Sequence, residues 1–287
     1  MRLQGWDDVL QMYQELSGDQ AQRWVFRGTH CASLETSLER AANEFGVPAE
    51  KLRRVELGLV RQFARHFHHY ALQIPEPENY LEWFSIMRHY GAPTRLLDFT
   101  YSFYVALFFA LESPNGFNAD QGCYAATLWA IDANALERNL LLALPAKGHK
   151  LRKAWDEDHS LAKYTTFNAL FMGEHPLVTA AVVSPFRRNE RLTIQQGTFL
   201  CPGDIERPFI ENLRAVLPDE DGAAYRQLTL KLSRADRSDV LARLNQMNMN
   251  HATLFPGLEG MAHSLRTRLA SDETLLFAPE ADRLLEP

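Results

Sequence analysis

The sequence contains few cysteines, and none of them stands in a disulfide or metal-binding pattern. Its 287 residues include only three, Cys31, Cys123 and Cys201, and no CxxC pair occurs. An odd number of isolated cysteines supports neither a disulfide framework nor a cysteine zinc site. Such a pattern is typical of a reducing compartment, so the sequence predicts a cytoplasmic protein.

Signals for membrane insertion and secretion are also missing. The longest apolar run, from Val105 to Leu111, is much too short to cross a bilayer. Gln4, Asp7 and Asp8 stand where an ordinary secretory signal has basic and then apolar residues. We therefore expect no secretory leader and no membrane partner.

Several motifs that identify large enzyme classes are absent as well. The chain has no Walker A motif, no GxGxxG and no GxSxG nucleophile elbow. The formal net charge of -6 argues against a protein covered in basic surface, although a local basic patch remains able to bind an anion. The hydrophobic fraction of 46%, with 17 Phe, predicts a globular protein with a sizeable core.

The stretch from His89 to Ala110 holds the most unusual chemistry of the chain. Gly91 and Pro93 indicate a sharp turn, and polar residues then follow beside a long apolar run. Polar groups next to a buried segment need partners or perform a task. The pattern predicts a loop, a short strand and a buried helix.

Another candidate site residue, Arg27, stands near the end of a predicted strand that runs from Arg23 to Thr29. Arg27 follows Trp24, Val25 and Phe26 and precedes Gly28. An arginine in this position either pairs with a buried carboxylate or binds an anion, because its planar guanidinium contacts a carboxylate or phosphate at two points.

The remaining periodicities predict a sheet flanked by helices. Helices are expected over 7–16, 49–72, 80–89, 135–144, 164–171, 236–247 and about 258–269, and strands over 122–132, 177–183, 190–200 and 225–233. The charged segment 147–158 indicates an exposed helix or a flap. The fold class is therefore α+β or α/β, with a mixed, split central sheet.

We expect one main domain. Residues 1–19 form an N-terminal helix, residues 20–270 the domain and residues 271–287 a tail. Within the domain, the helices over about 49–89 are an insertion, and those over about 234–270 form a C-terminal lobe.

The predicted helix 49–72 has a basic side. It carries Arg53, Arg54, Arg61, Arg65, His66, His68 and His69. The residues form either a solvated cationic face or a surface that binds phosphate groups. His66 and His69 are three residues apart, but no carboxylate or cysteine completes a ligand set, so we assign no metal site.

Three blocks in this order resemble the bacterial FRG domain family, which takes its name from a Phe-Arg-Gly motif. They are Phe26-Arg27-Gly28, the stretch from His89 to Thr100 together with Ala106 to Ala110, and the block from Arg191 through Gln195-Gln196-Gly197 to Phe199. The turn from Leu254 to Leu258 also resembles that family's ending.

The order of elements is also similar, more distantly, to that of the ADP-ribosyltransferase fold. This resemblance implies NAD as a substrate, with Arg27 on a phosphate and Thr100 and Ser102 shaping the nicotinamide-ribose pocket. Gln195 or Gln196 occupies the position where that fold has a glutamate. Glutamine carries no charge and cannot act as a base, so Glu190 or Asp98 is expected to supply the carboxylate.

The residues themselves predict a site for an anion and a ribose. Arg27 and Arg95 suit a phosphate, and Thr100 and Ser102 suit hydroxyl groups. Tyr90 or His89 is suited to stacking or proton transfer. Each has a structural alternative as well: Arg95 and Asp98 are three residues apart and could pair with each other, and His89 could bond only the backbone.

The proposed site residues fall into two groups. Those with a catalytic role are Arg27, Asp98, Thr100, Gln196 and Glu190, and those that bind NAD are Arg27, Gly28, His89, Tyr90, Arg95, Thr100, Ser102 and Gln195.

The sequence leaves the function open between three classes. The first is an NAD-using enzyme of the ADP-ribosyltransferase-like class that modifies a protein or nucleic-acid target or cleaves NAD, as a toxin or phage-defence effector does. The second is a non-catalytic nucleotide- or nucleic-acid-binding module. The third, ranked last, is a metal-dependent hydrolase that uses His66, His69 and His89.

Overall fold

A computed structural model gives the architecture of most of the chain. It describes residues 5–18, 22–118, 123–144, 152, 161, 163–174, 176–218 and 224–271. The predicted segment 147–158 lies outside these residues except for residue 152, and so does nearly all of the predicted tail. Among the described residues, no helix is long and apolar enough to cross a membrane.

Helices and strands alternate irregularly along the chain. The helices are α1 (Trp6–Ser17), α2 (Ser37–Glu44), α3 (Leu52–Phe67), α4 (Tyr80–His89), α5 (Phe103–Glu112), α6 (Ala133–Ala143), α7 (Tyr164–Phe171), α8 (Glu190–Ile194), α9 (Phe209–Val216), α10 (Arg234–Gln246), α11 (His251–Leu254) and α12 (Leu258–Ser271). The strands are β1 (Trp24–Thr29), β2 (Leu97–Thr100), β3 (Phe117–Asn118), β4 (Cys123–Asp132), β5 (Ala180–Val183), β6 (Gly197–Pro202) and β7 (Tyr225–Leu232).

The strands form one sheet in the order β7-β4-β1-β2-β6-β5, and β3 pairs with the start of β4. This confirms the α+β class. Each of these described strand pairs is antiparallel, whereas we expected a mixed sheet. The helices between β1 and β2 return the chain to the end of the sheet where β1 stops, so β2 runs back beside it.

The sheet nearly divides between β1 and β2. Their described pairing consists of one register pair, Phe26 with Thr100. By contrast, β1 stays paired with β4 over its full length, and β2 stays paired with β6 over its full length. The two halves of the sheet therefore separate next to Arg27 and Asp98, the first charged residues beyond that pair on each strand.

Gly28 lets the buried helix α5 lie directly against β1. A Cβ atom at Gly28 would stand 1.8 Å from the carbonyl oxygen of Ala106 and 2.5 Å from the backbone nitrogen of Ala110. Ala106 and Ala110 are four residues apart, are fully buried and so share the face of α5 that meets the strand. The Gly of one motif and the two Ala of another thus form a single backbone contact.

The predicted strand 190–200 is wrong in its first half. Residues 190–194 form the short helix α8, and strand β6 begins only at Gly197. The Asn189 side chain caps this helix by accepting from the Leu192 backbone nitrogen at 2.7 Å. Gln196 then has a φ of 48°, which turns the chain into β6. These local caps override the apparent alternation of polar and apolar residues.

The helices α2, α9 and α11 and the short strand β3 were not predicted, and one predicted helix ends earlier than expected. Helix α2 was not predicted, although Thr36 and Glu39 form a capping box at its start and supply a recognisable sequence signature. Helix α3 ends at Phe67 rather than at residue 72. The other predicted helices and strands in the described part of the chain occur within a few residues of their expected ends.

Candidate functional site

A cleft of about 360 Å³ opens where β1 and β2 separate. It is lined by residues from both strands, from α5 and from the α8 turn: Phe26, Arg27, Gly28, Thr29, His30, Asp98, Phe99, Thr100, Ala106, Phe109, Glu112, Ser113, Arg191 and Gln195. The cleft thus brings together the first, second and third sequence blocks.

Arg27 spans the gap between the two strands. Its Nη1 donates to the backbone oxygen of Asp98 at 2.8 Å and lies 4.0 Å from the Asp98 Oδ2 atom. Burial lowers the pKa of Arg27 to about 10, with Asp98 opposing and Arg88 adding to this effect. Arg27 therefore stays cationic at neutral pH, and its other nitrogens make no hydrogen bond to a described residue.

Asp98 is held by a second arginine that sequence reasoning missed. Arg88 donates from Nε to Oδ2 of Asp98 at 2.8 Å, and its Nη2 also donates to that oxygen. Burial alone would raise the pKa of Asp98, but Arg88, Arg27 and Arg191 together hold it below its usual range. Asp98 is thus a fixed carboxylate at neutral pH.

Arg191 is the third cation of the group. Its side chain makes no hydrogen bond to a described residue, and its guanidinium lies 4.2 Å from the centre of the Phe255 ring. Burial lowers the pKa of Arg191 and the charge of Arg88 adds to this effect, while the carboxylates of Asp98 and, more weakly, Glu259 oppose it. Three guanidinium groups therefore surround one carboxylate, which leaves an excess of positive charge suited to an anion.

Thr100 and Gln195 form the polar wall beside this charged group. The Thr100 hydroxyl donates to the Gln195 backbone oxygen at 2.6 Å and accepts from the Ser102 backbone nitrogen at 2.9 Å. The Ser102 side chain caps α5 by accepting from the Val105 nitrogen at 3.3 Å. Thr100 thus lines the cleft, whereas Ser102 has a capping role.

A second carboxylate lines the cleft away from the arginines. Glu112, at the end of α5, accepts a hydrogen bond from or donates one to His251, with 2.8 Å between Oε2 and Nε2. Its side chain is 25% exposed. A second cavity of about 230 Å³ adjoins this pair and is lined by Glu112, His251, His263 and Arg266. Glu112 therefore connects the cleft with the C-terminal helices.

Arg95 does not join the cleft. It is buried and donates from Nε to Oε1 of Glu56 at 2.7 Å, while its Nη1 donates to the Phe171 backbone oxygen at 2.8 Å. Its Nη2 also donates to Glu56. The charge of Glu56 keeps the pKa of Arg95 above its usual value although burial acts in the opposite direction. Its structural alternative, an ion pair, therefore occurs, but with Glu56 instead of Asp98.

Four other predicted residues also lie outside the cleft lining. Gln196 and Glu190 are exposed: Gln196 lies in the turn after α8, and Glu190 is the first residue of that helix. Tyr90 is 70% exposed. His89 lines a small cavity of about 60 Å³ next to the cleft, where burial, with a contribution from Arg191, lowers its pKa.

The charged residues that sequence reasoning missed come from separate parts of the chain. Arg88, Arg191, Glu112 and His251 approach the site from α4, α8, α5 and α11. Arg191 was visible in the third block, but the strand prediction assigned it no contact. Among the described residues, no group of three or more His, Cys, Asp or Glu side chains is arranged to hold a metal ion.

Comparison with known families agrees with the motifs. Residues 22–119 match the model of the FRG domain. The resemblance to this family is therefore confirmed over that segment, which includes Arg27, Arg88, Asp98 and Glu112. Arg191 and the C-terminal helices lie beyond the match. The comparisons with curated proteins and with solved structures each found no match.

Proposed function

We propose that this FRG-domain chain binds NAD in the cleft between β1 and β2 and acts on it as an ADP-ribosyltransferase-like or NAD-cleaving enzyme. The observation that carries the proposal is the convergence of Arg27 and Arg191 in the cleft around Asp98, which Arg88 holds from the small adjoining cavity. A diphosphate offers enough anionic oxygens to accept hydrogen bonds from two guanidinium groups at once.

The cleft offers complementary groups for each part of NAD. Arg27 and Arg191 have donors available for the diphosphate, whereas Arg88 is already paired with Asp98. Phe26 and Phe109 supply apolar surface for a ring. Glu112 and Gln195 can accept hydrogen bonds from ribose hydroxyls. Glu112 thus supplies within the cleft the carboxylate that the glutamine at position 196 lacks.

The chemistry follows from the two carboxylates. The bond between the ribose carbon and the nicotinamide nitrogen breaks, and its electron pair leaves with nicotinamide. Water or a hydroxyl, amine or base of a target then bonds to that carbon and loses its proton. Glu112, which pairs with none of the three arginines, stabilises the cationic sugar and takes the proton, while Asp98 keeps Arg27 in place for the diphosphate. Loss of NAD or modification of a target is the kind of activity that a toxin or phage-defence effector would use.

Binding and cleavage of NAD test this proposal in purified protein. We expect NAD to raise the melting temperature and nicotinamide to be released. Arg27→Ala should weaken NAD binding by roughly 10- to 100-fold, because a charge-assisted hydrogen bond contributes about 1.5–3 kcal/mol. Arg243→Ala is the matched control, since Arg243 pairs with Asp239 on the exposed surface of α10. Equal NAD affinity in both variants, or no binding by the wild type, would refute the proposal.

A non-catalytic nucleic-acid-binding module is the second candidate, because part of the basic face of α3 is free. Arg53 donates to the backbone oxygens of Glu174, Met172 and Gly173 and so holds a loop. Arg54, Arg61 and Arg65 are exposed on the same side of the helix. Salt-dependent retention on nucleic acid that Arg27→Ala leaves unchanged would favour this candidate.

A further inference from the structure

One short segment contacts three of the residues that line the cleft. Residues 251–255, which we term the clamp segment, comprise α11 and Phe255. His251 contacts Glu112, the Leu254 backbone oxygen accepts from Nε2 of Gln195 at 2.9 Å, and the Phe255 ring lies against Arg191. The segment therefore reaches both charged groups of the cleft, although it lies outside the residues that match the family model.

Phe255 gives the Arg191 guanidinium an aromatic contact. The ring lies 4.2 Å from the guanidinium carbon, well within the range of a cation–π interaction. A planar guanidinium stacked on a ring keeps its edge nitrogens available for hydrogen bonds. Phe255 thus holds the cation in place without occupying its donors.

His251 similarly holds a charged group of the cleft in place, the carboxylate of Glu112. Its Nε2 atom lies 2.8 Å from Oε2 of Glu112, and its ring packs between Phe108 and Phe255. The aromatic neighbours hold the imidazole, and the imidazole fixes one oxygen of the carboxylate. The second oxygen, Oε1, has no hydrogen bond to a described residue.

The turn after the clamp segment keeps it in place. Gly257 has a φ of 110°, a conformation that favours glycine. A Cβ atom at Gly260 would stand 1.8 Å from the Phe255 backbone oxygen, so α12 packs directly onto the clamp segment. These requirements account for both glycines in the stretch from Leu254 to Gly260.

We infer that the clamp segment positions the cleft for its ligand, with Phe255 aiming Arg191 at the diphosphate and His251 aiming Glu112 at a ligand hydroxyl. The inference rests on the proposed function, because it concerns the same cleft. His251 and Phe255 are positioning residues, since neither lines the cleft itself.

Two probes separate the two contacts. Inorganic pyrophosphate offers only anionic oxygens, whereas NAD offers a diphosphate and ribose hydroxyls. Phe255→Leu should weaken the binding of both about three- to tenfold, because a partly buried cation–π contact has that effect. Phe255→Tyr should bind both like the wild type. His251→Phe keeps an aromatic ring between Phe108 and Phe255 but removes the contact with Glu112, so it should weaken NAD several-fold and leave pyrophosphate unchanged. Ala252→Ser, on the exposed side of α11, is the control.

A cycle with Arg191→Ala tests whether Phe255 acts through that arginine. In the Arg191→Ala background, Phe255→Leu should have no further effect on binding, whereas a general loosening of the fold would still weaken it. Circular dichroism and the melting temperature confirm that each variant is folded. If Phe255→Leu itself fails to fold, Phe255→Met provides the same comparison.

The outcomes distinguish the two ideas. If the wild type binds NAD with the expected Arg27 dependence but Phe255→Leu and His251→Phe bind it normally, the inference fails and the proposed function stands. If pyrophosphate binds but NAD does not, the proposed function fails and the Phe255 variants on pyrophosphate decide the inference. Binding of neither probe overturns both.

Discussion

Arg88 and Asp98 form the ion pair on which the charged side of the cleft depends. Arg88 lies in the last turn of α4, and Asp98 lies in β2, ten residues later, with 2.8 Å between Nε and Oδ2. The turn through Gly91 and Pro93 brings the two elements together. The pair keeps Asp98 ionised and leaves Arg27 and Arg191 as the available cations.

The lowered pKa of Asp98 predicts a specific acid sensitivity. Because this pKa is lower in the folded chain than the value of about 4 in an unfolded one, its stabilising contribution is complete above about pH 4 and is lost as the pH falls through the folded pKa. The contribution is modest, about 1 kcal/mol, because the side chain is 45% exposed. Asp98→Asn should therefore flatten the decline in unfolding free energy below pH 4, as measured by urea denaturation between pH 2 and 6. A slope identical to that of the wild type would contradict the assignment.

Gly28→Ala should destabilise the protein by at least about 2 kcal/mol, because the new Cβ would collide with the backbone of α5 at Ala106. Gly58→Ala is a matched control inside α3: no atom stands within 4 Å of its added Cβ, and alanine should stabilise this helix by about 0.5–1 kcal/mol. Chemical denaturation at pH 7 measures both changes. Similar unfolding midpoints for the two variants would show that the close contact of β1 with α5 is incorrect.

Arg95→Met should cost about 3–5 kcal/mol of unfolding free energy, because it leaves the carboxylate of Glu56 buried without a partner. The double variant Arg95→Met with Glu56→Leu should recover most of this loss, since it buries no charge. In the double variant, NAD affinity should match the wild type. A large loss of NAD affinity in a folded double variant would show that Arg95 does take part in ligand binding.

Replacing Arg54, Arg61 and Arg65 together by alanine should change the unfolding free energy by less than about 0.5 kcal/mol, because all three are exposed. NAD affinity should also remain at the wild-type value. Thermal denaturation and NAD titration check the two expectations. Loss of nucleic-acid retention in this variant, with intact NAD binding, would assign a separate function to α3.

The sequence by itself determined most of the elements and the location of one side of the cleft. Turn residues bounded β2 and α5, and the aromatic and β-branched run marked β1, because these signals are local and depend on backbone preferences. The motifs placed Arg27, Asp98 and Thr100 on strands that do meet in one cleft. The helix α2, which was missed, and the helix at 190–194, which was predicted as a strand, both begin with a capping side chain. Hydrophobic periodicity does not detect such caps, although they involve residues close together in the sequence.

Only the tertiary structure decided which charges pair. Arg95 and Asp98 are three residues apart, yet Arg95 pairs with Glu56 and Asp98 with Arg88, because Arg95 is buried in the loop before β2 whereas Asp98 lies within β2 at the edge of the cleft. The contacts of His251 with Glu112 and of Phe255 with Arg191 join residues 139 and 64 positions apart. Such pairings depend on how helices pack against the sheet, and no spacing within the chain encodes them.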